Sequence, residues 1–587
     1  MTTTATLLPA KKGTAFLTEE TAPHEIFTRE DLSDEHHAVA QTVDNFWAKE
    51  VEPNLPAIRD KKPGVALEVL RKSVALGLTG ISVPERFGGM EMDLASVMLV
   101  AEHIGRDASY AGWHSAHTGI GSLPILFFGN EEQKRKYLPK LVKVELLAAY
   151  ALTEPLAGSD AMAARTRADL GPDGKFYILN GQKMWITNGG AADVFTVFAK
   201  VGGEKFTAFI VERSFGGVTS GAEEHKMGIT GSSTTAVYLD NVRVPVENVL
   251  GEIGRGHVIA FNILNLGRLK LGPAVMGSAK NILATCIKYA QQRKAFGSPI
   301  ASFGAIQHKL AEMTIRIFAT ESMVWRVVGM IDSQLAQAAG EADHAAAELR
   351  AVEEYAAECS MVKVVAAEMI DYVADEGVQI HGGYGFHKDY SVERTYRDAR
   401  INRLFEGTSE INRLVIAGMP LKRAAKGQNT LLQAAQEAAQ NTASVPDAAG
   451  GEEMRLVRCA RQIALLTLGL AHRKHGAELE KHQEVIMNIS DIFADVFAME
   501  STLLRARKMG TTGKGAIAAD ICAVFLRDAL TRIASASLTV MGACCEGNEL
   551  KTGVAALRRL TDYQPVNSIA LRRRISGQVL ASERYTF

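Results

Sequence analysis

Proton-transfer chemistry in this 587-residue sequence concentrates in Phe405-Glu-Gly-Thr-Ser-Glu410, a carboxylate followed at once by a glycine and a hydroxyl residue. The glycine after Glu406 removes a Cβ and lets backbone and ligand approach closely. A carboxylate held there in an apolar, water-poor slot can act as a general base on a weakly acidic carbon. Taken alone, Glu-Gly-Thr is an ordinary helix end. Here it closes a longer run, Gln379-Ile-His-Gly-Gly-Tyr-Gly-Phe386 followed by Asp389, Arg394 and Asp398.

Three further segments carry groups suited to a flat, charged ligand. Tyr150-Ala-Leu-Thr-Glu-Pro-Leu-Ala-Gly-Ser-Asp160 offers hydroxyls, amides and small residues, and by itself reads as a turn. Lys183-Met-Trp-Ile-Thr-Asn-Gly-Gly190 adds an indole able to pack on a ring and a threonine able to bond its polar edge. Gln292-Arg-Lys-Ala-Phe-Gly297 ends a helical stretch with a guanidinium, whose donor fork matches phosphate oxygens. There is no Gly-x-Gly-x-x-Gly behind an early strand, so a Rossmann site is not supported. The histidines, His381 included, lack metal-ligand spacing, and no metal is expected.

In this order, over about residues 35 to 420, the motifs resemble the acyl-CoA dehydrogenase family. The resemblance implies FAD-dependent conversion of a fatty acyl-CoA to its trans-2-enoyl product. Glu406 would take the α-proton while flavin N5 takes hydride from the β-carbon, with the thioester oxygen bonded by the Glu406 N–H and a ribityl hydroxyl. It implies that Thr153, Trp185 and Thr187 face the flavin ring, with Ala151, Leu152, Gly158 and Ile186 among the cofactor contacts. Ser159 would sit near both flavin and thioacyl ligand. Arg293 and Phe296 would contact the adenosine-diphosphate half, often across a subunit interface, with Gln379, Gly382 and Gly383 as a second wall. Thr408 and Glu410 complete the implied cofactor set, and Asn265, Arg268 and Gly407 join Ser159 as implied substrate contacts. Gly304 departs from the glutamine of many relatives. Some branched-chain members carry the base at the position matching Gly267, which leaves Glu406 as the candidate here.

Asn265-Leu-Gly-Arg268 and the long C-terminal extension, from Lys426 to Phe587, resemble the very-long-chain branch. That implies a long-chain acyl-CoA substrate and electron-transfer flavoprotein as partner. An acyl-CoA oxidase, a medium- or short-chain dehydrogenase, and a non-catalytic assembly or binding protein on the same fold are the alternatives.

The elements that must position these groups follow from texture. Residues 1–32 read as irregular, and helical periodicity fills 33–149. Short β-branched and aromatic runs separated by Gly, Asn and Asp make 150–255 an antiparallel β domain. Helical texture over 256–424 carries Glu406, 425–453 reads as a linker, and 454–587 is a second helical region. The expected class is α+β, mostly α: an acyl-CoA dehydrogenase fold with a second C-terminal bundle. Ile317-Phe-Ala-Thr-Glu-Ser322 matches Val496-Phe-Ala-Met-Glu-Ser501 in register, as a degenerate repeat would.

Net charge is −1, made of −5 up to residue 425 and +4 beyond it, which speaks against nucleic-acid binding. Six scattered cysteines without Cys-x-x-Cys pairing predict buried thiols in a reducing compartment. The N-terminus lacks a signal-type apolar core, and no apolar run reaches the roughly 18 residues of a spanning helix, so a cytoplasmic protein is expected. Ordinary family members are tetramers, and an extension that repeats helical texture could replace a partner dimer, giving a homodimer. Gln462–Leu470, apolar and flanked by Arg455, Arg458, Arg461 and Arg473, is either a bundle helix or a segment lying on an anionic membrane surface.

Overall fold

The computed structural model describes residues 11–338 and 344–587. The chain divides into two compact units, one built on Ser33–Ser278 and the other on the chain up to Leu32, Ala279–Gln337 and Glu354–Phe587.

The first unit begins with helices. Those at Asp34–Phe46, Leu94–Ile104 and Glu131–Val142 start at Ser33, Asp93 and Asn130, whose side chains accept backbone N–H groups of the first turn. The first two of these helices meet in a core that joins their Val43, Phe46, Val100 and Ile104 to Ile58, Val69 and Tyr110 of neighbouring helices. Strands follow: β1 Ala148–Ala151, β2 Arg167–Leu170, β3 Phe176–Thr187, β4 Val194–Val201, β5 Lys205–Glu212, β6 Val218–Glu223, β7 Thr234–Pro245 and β8 Val249–Leu250. Their order is β6-β7-β3-β2-β4-β5-β8, with β1 paired to β4.

Two features differ from the sequence reading. The sheet is not wholly antiparallel, because β1 and β2 both run parallel to β4. The runs Phe176–Leu179 and Lys183–Thr187 form one strand rather than two. Gly181 joins them by close approach, since a Cβ there would lie 2.4 Å from the Thr166 hydroxyl.

The second unit is helical. Its centre is the packing of Gly304–Gln337 against Gln483–Lys508, the two helices of the suspected repeat. Glu321 and Arg326 hold the positions in the first copy that Glu500 and Arg505 hold in the second. The pairs cross over: Arg326 Nη2 lies 2.7 Å from Glu500 Oε2, and Arg505 Nη1 lies 2.8 Å from Glu321 Oε2. Each guanidinium also covers the ring one turn before the opposing carboxylate, Arg326 over Phe497 at 4.7 Å and Arg505 over Phe318 at 4.2 Å. Ser322 and Ser501 each bond the carbonyl one turn back, on Phe318 and Phe497. A contact in which i meets j and j meets i is that of a twofold interface, here made within one chain.

The linker expected over 425–453 is corrected, and two other readings of this unit are made specific. The described part of the N-terminal segment makes three 3₁₀ turns, and buried Phe16 packs 5.0 Å from Phe497. The interval 425–453 holds the helix Leu431–Gln440, whose Ala and Gln content gives good helix formers rather than a linker. Ala435 and Ala439 approach so closely that a Cβ on Gly469 would meet the Ala435 carbonyl at 2.1 Å. The apolar stretch 462–470 is a bundle helix, with Ile463, Leu466 and Leu468 fully buried or nearly so. Its flanking arginines are engaged by Glu452, Glu20, Glu500 and Glu549. Of the two readings of this stretch the bundle helix is the one observed, with its apolar residues buried inside the protein. The cysteines are free and buried, as expected. No helix among the described residues is long and apolar enough to cross a membrane.

Removing one partner of a buried ion pair leaves an uncompensated charge and costs about 3–5 kcal/mol. Glu500→Leu strands both Arg326 and Arg461, which bond it at 2.7 Å each. Thermal unfolding should show a clear drop in midpoint, partly recovered in the Glu500→Leu/Arg326→Leu double variant. A single variant that melts with the wild type would contradict the role given to the crossed pairs.

Candidate active site

In the first unit, the segments around Thr153 and Trp185 are joined to each other. After β1 the chain turns through a two-bond bridge between Glu154 and Ala157, and the Met184 N–H of β3 donates to the Thr153 carbonyl at 2.9 Å. Pairing of β3 with β7 slips between Lys183 and Ile186, and Trp185 takes a left-handed φ of 57°. Such a bulge re-aims a side chain. The indole is left 60 % exposed beside half-buried Thr187. Thr153 is half-buried, and Gly158 and Ser159 are exposed. Ala151, Leu152 and Ile186, by contrast, are buried side chains, so these three have only backbone groups to offer a ligand.

A buried ion pair ties the two segments. Lys183 Nζ donates to Glu154 Oε1 at 2.6 Å and to the Leu152 carbonyl at 3.3 Å. Glu154 also accepts the Thr166 hydroxyl and the Thr166 and Arg165 amides, at 2.6, 3.1 and 2.6 Å. Burial pushes the Lys183 ammonium down to about 8, against the pull of Glu154. Burial would raise the Glu154 carboxyl, but Lys183 and the hydrogen bonds hold it below its ordinary value. Both residues stand inside the quoted motifs. Sequence reasoning gave them no role, because a charge in a strand reads as solvent-facing.

On the helix that starts at Gly256, Arg268 Nη1 donates to Asn265 Oδ1 at 2.8 Å and both are buried. The fork is thereby oriented, as a recognition group requires.

In the second unit, Glu406 is half-buried with its Oε2 shielded from solvent. Glu406 and Gly407 both adopt left-handed φ, 57° and 83°. Thr408 ends the turn as N-cap of the helix Ser409–Ala425, its hydroxyl accepting the Ile411 N–H at 3.2 Å, and Glu410 is exposed in the first turn. The buried Lys363 and Asn412 donate to the Gly407 carbonyl at 2.8 Å each.

The same unit holds a groove of about 660 Å³ lined by Tyr289, Arg293, His381, Gly382, Gly383 and Tyr384, among others. Tyr289 stacks on His381 at 4.1 Å, and Arg293 lies over Tyr384 at 5.5 Å. Burial lowers the His381 ring below its ordinary value, against the pull of the bond from its Nδ1 to the Gly377 carbonyl. A Cβ at Gly382 or Gly383 would meet nothing, which leaves their backbone open to a ligand. Gln379 is exposed beside them. Phe296 and Gly297, both with positive φ, make the two-residue turn of the hairpin β9 Lys294–Ala295 and β10 Ser298–Pro299, and the Phe296 ring is 97 % exposed at its tip. Aromatic faces, one guanidinium and bare backbone suit an adenine with phosphates.

Comparison with known proteins gives the same picture. The acyl-CoA dehydrogenase N-terminal and middle domain families match residues 33–145 and 149–242. Two acyl-CoA dehydrogenase C-terminal domain families match 254–419 and 459–559. A probable acyl-CoA dehydrogenase of Bacillus subtilis is 44 % identical over 585 residues, covering 98 % of each chain. The mitochondrial very long-chain specific acyl-CoA dehydrogenase of Homo sapiens is 37 % identical over 506 residues, 84 % of this chain and 72 % of that one. The crystal structure of an acyl-CoA dehydrogenase complexed with FAD from Bacillus anthracis superposes with a TM-score of 0.95 at 46 % identity, over 98 % of this chain and all of that one. Butyryl-CoA dehydrogenase from Megasphaera elsdenii, at 35 % identity and a TM-score of 0.59, covers 67 % of this chain and is itself 98 % covered.

Lys183→Met leaves the Glu154 carboxylate buried with amide and hydroxyl donors alone, at a cost of about 3–5 kcal/mol. The purified variant should melt lower than wild type and carry less bound cofactor. Wild-type melting and cofactor content together would show that the ion pair does not hold these two segments.

Proposed function

The chain belongs to the acyl-CoA dehydrogenase family, and on that footing we propose that it dehydrogenates long-chain acyl-CoA to the trans-2-enoyl thioester, with Glu406 as the α-proton base. The observation that carries the assignment is the Glu406 turn: a shielded carboxylate on two consecutive left-handed residues, fixed by buried donors. An α-C–H is too weakly acidic for a carboxylate in water. The reaction therefore needs donors at the thioester oxygen and a dry site, in which the bound acyl chain expels water and raises the basicity of Glu406.

FAD, when bound, accepts the hydride that leaves the β-carbon. Its adenosine and pyrophosphate fit the Arg293–Gly383 groove, where Arg293 would bond phosphate and the open backbone of Gly382 and Gly383 would permit close approach. Gln379, Phe296, Thr408 and Glu410 are the further positions proposed on this unit. Trp185 would pack on the flavin ring, with Thr153 and Thr187 bonding its edge. Gly158 would give close backbone approach and the Ser159 hydroxyl would serve both ligands. Ala151, Leu152 and Ile186 would contribute main-chain groups. Asn265, Arg268 and Gly407 are proposed to contact the thioester ligand, and Gly267 places no side chain between Asn265 and Arg268.

Long-chain preference is supported by the likeness to very long-chain enzymes and by Gly267. Electron-transfer flavoprotein is the proposed acceptor, and the cytosol the proposed location. The crossed pairs support the reading that the extension stands in for a second dimer, which makes the enzyme a homodimer.

Glu406→Gln should remain yellow and bind acyl-CoA, yet reduce its flavin slower by roughly several powers of ten. Near wild-type bleaching in that variant removes Glu406 from the role. The wild type should show higher kcat/KM on palmitoyl-CoA than on butyryl-CoA. The reverse order would point to a short-chain enzyme. Light scattering should give a dimer mass, and a tetramer would sink the replacement of a partner dimer.

A further inference from the structure

The main-chain conformation of the Glu406 turn is improbable on its own. A non-glycine residue in the left-handed region is disfavoured by roughly 1–2 kcal/mol, and here Glu406 is followed at once by Gly407 in the same region. Such a conformation persists only where its surroundings over-determine it. Two buried side chains from two packed helices do so. Lys363, on Ala356–His381, is fully buried and donates its ammonium to the Gly407 carbonyl at 2.8 Å. Asn412, on Ser409–Ala425 and equally buried, donates its carboxamide to the carbonyls of Gly407, Thr408 and Glu406 at 2.8, 3.0 and 3.4 Å.

Burying an ammonium carries a large desolvation penalty, so its placement against the Gly407 carbonyl calls for a reason. Helix packing would be served as well by a methionine at 363, whose neighbours Val362 and Val364 are buried apolar residues. What a methionine lacks is the N–H that fixes the carbonyl following the base. Lys363 fixes the peptide plane between Gly407 and Thr408, and Asn412, through the Glu406 carbonyl, the plane between Glu406 and Gly407; together they hold the left-handed turn from which the Glu406 side chain leaves.

We propose that Lys363, with Asn412, is a positioning residue that clamps the Glu406–Gly407 turn and thereby aims the carboxylate at the α-carbon. The inference rests on Glu406 being the base. It assigns Lys363 no contact with substrate or cofactor. Misplacing a reacting group by about 1 Å can cost about a hundredfold in rate, so the effect belongs in the chemical step rather than in ligand affinity.

The test is rapid-mixing flavin reduction by palmitoyl-CoA on FAD-replete wild type, Lys363→Met, Lys363→Gln and Asn412→Ala, with melting temperature and FAD content measured beside it. Lys363→Met should slow reduction about 10- to 100-fold with acyl-CoA affinity changed only a few-fold, and Lys363→Gln, which restores an N–H donor, should lie between it and wild type. Adding Lys363→Met to Glu406→Gln should slow reduction no further, because no carboxylate remains to aim. If Lys363→Met does not fold, Lys363→Gln and Asn412→Ala carry the same expectation of a slowed chemical step. Reduction within twofold of wild type in the folded variants overturns the clamp. So does a loss that disappears once rates are referred to folded, FAD-bound protein. If Glu406→Gln itself reduces flavin normally, it is the base assignment that has failed, whatever the Lys363 variants do.

Discussion

Two carboxylates at the centre of the helical unit set the terms for the rest of it. Glu321 gathers Lys280, Arg505 and Arg29 together with the Tyr585 hydroxyl, at 2.5, 2.8, 3.2 and 2.6 Å. Glu500 gathers Arg326 and Arg461. Burial would raise the Glu321 carboxyl, but its three cations hold it far below the ordinary range. Charges removed from water this completely stabilise only when every one finds its partner. The N-terminal segment, both repeat helices, the helix Glu452–His475 that carries Arg461, and the C-terminal end must therefore arrive together. An apolar interface would tolerate a shift of register between the two repeat helices. A reciprocal pair of guanidinium–carboxylate contacts does not, because one slip breaks both.

The extension reaches the Glu406 turn by the same logic. Arg413 lies on the helix capped by Thr408, shortly after Glu406 in the chain. It bonds Asp491 of the extension at 2.6 Å and Glu368 of the helix that carries Lys363 at 2.7 Å. The Ser490 hydroxyl donates to the Arg413 carbonyl. The helices flanking Glu406 are thus braced by Asp491 and Ser490 of the extension. Arg413 keeps its charge in spite of burial because both carboxylates support it.

Much of this was legible in the sequence. The order of Thr153, Trp185, Arg293, Gly382 and Glu406 along the chain, with the turn residues around them, was enough to give the family and its fold. What escaped were properties of register and depth. The bulge at Trp185 depends on how β3 meets β7, which no alternation pattern of β3 alone reveals. Lys183 and Lys363 read as ordinary charges, because a sequence shows an ammonium without showing which buried oxygen it meets. The helix at 431–440 hid in an Ala- and Gln-rich stretch whose composition fits a linker and a helix equally. The correspondence of Glu321 with Glu500 was visible as a pattern. That the two copies pair with each other, Arg326 to Glu500 and Arg505 to Glu321, is a statement about space.

The central claim is that Glu406 removes a proton from the α-carbon of an acyl thioester. An acyl-CoA with sulfur in place of the β-methylene and deuterium at the α-carbon has no β-hydride to lose, so proton removal can be followed alone. Mass spectrometry should show α-deuterium washing out into water with the wild-type holoenzyme and staying in place with Glu406→Gln. Equal washout by both proteins, or none by the wild type, would contradict the account.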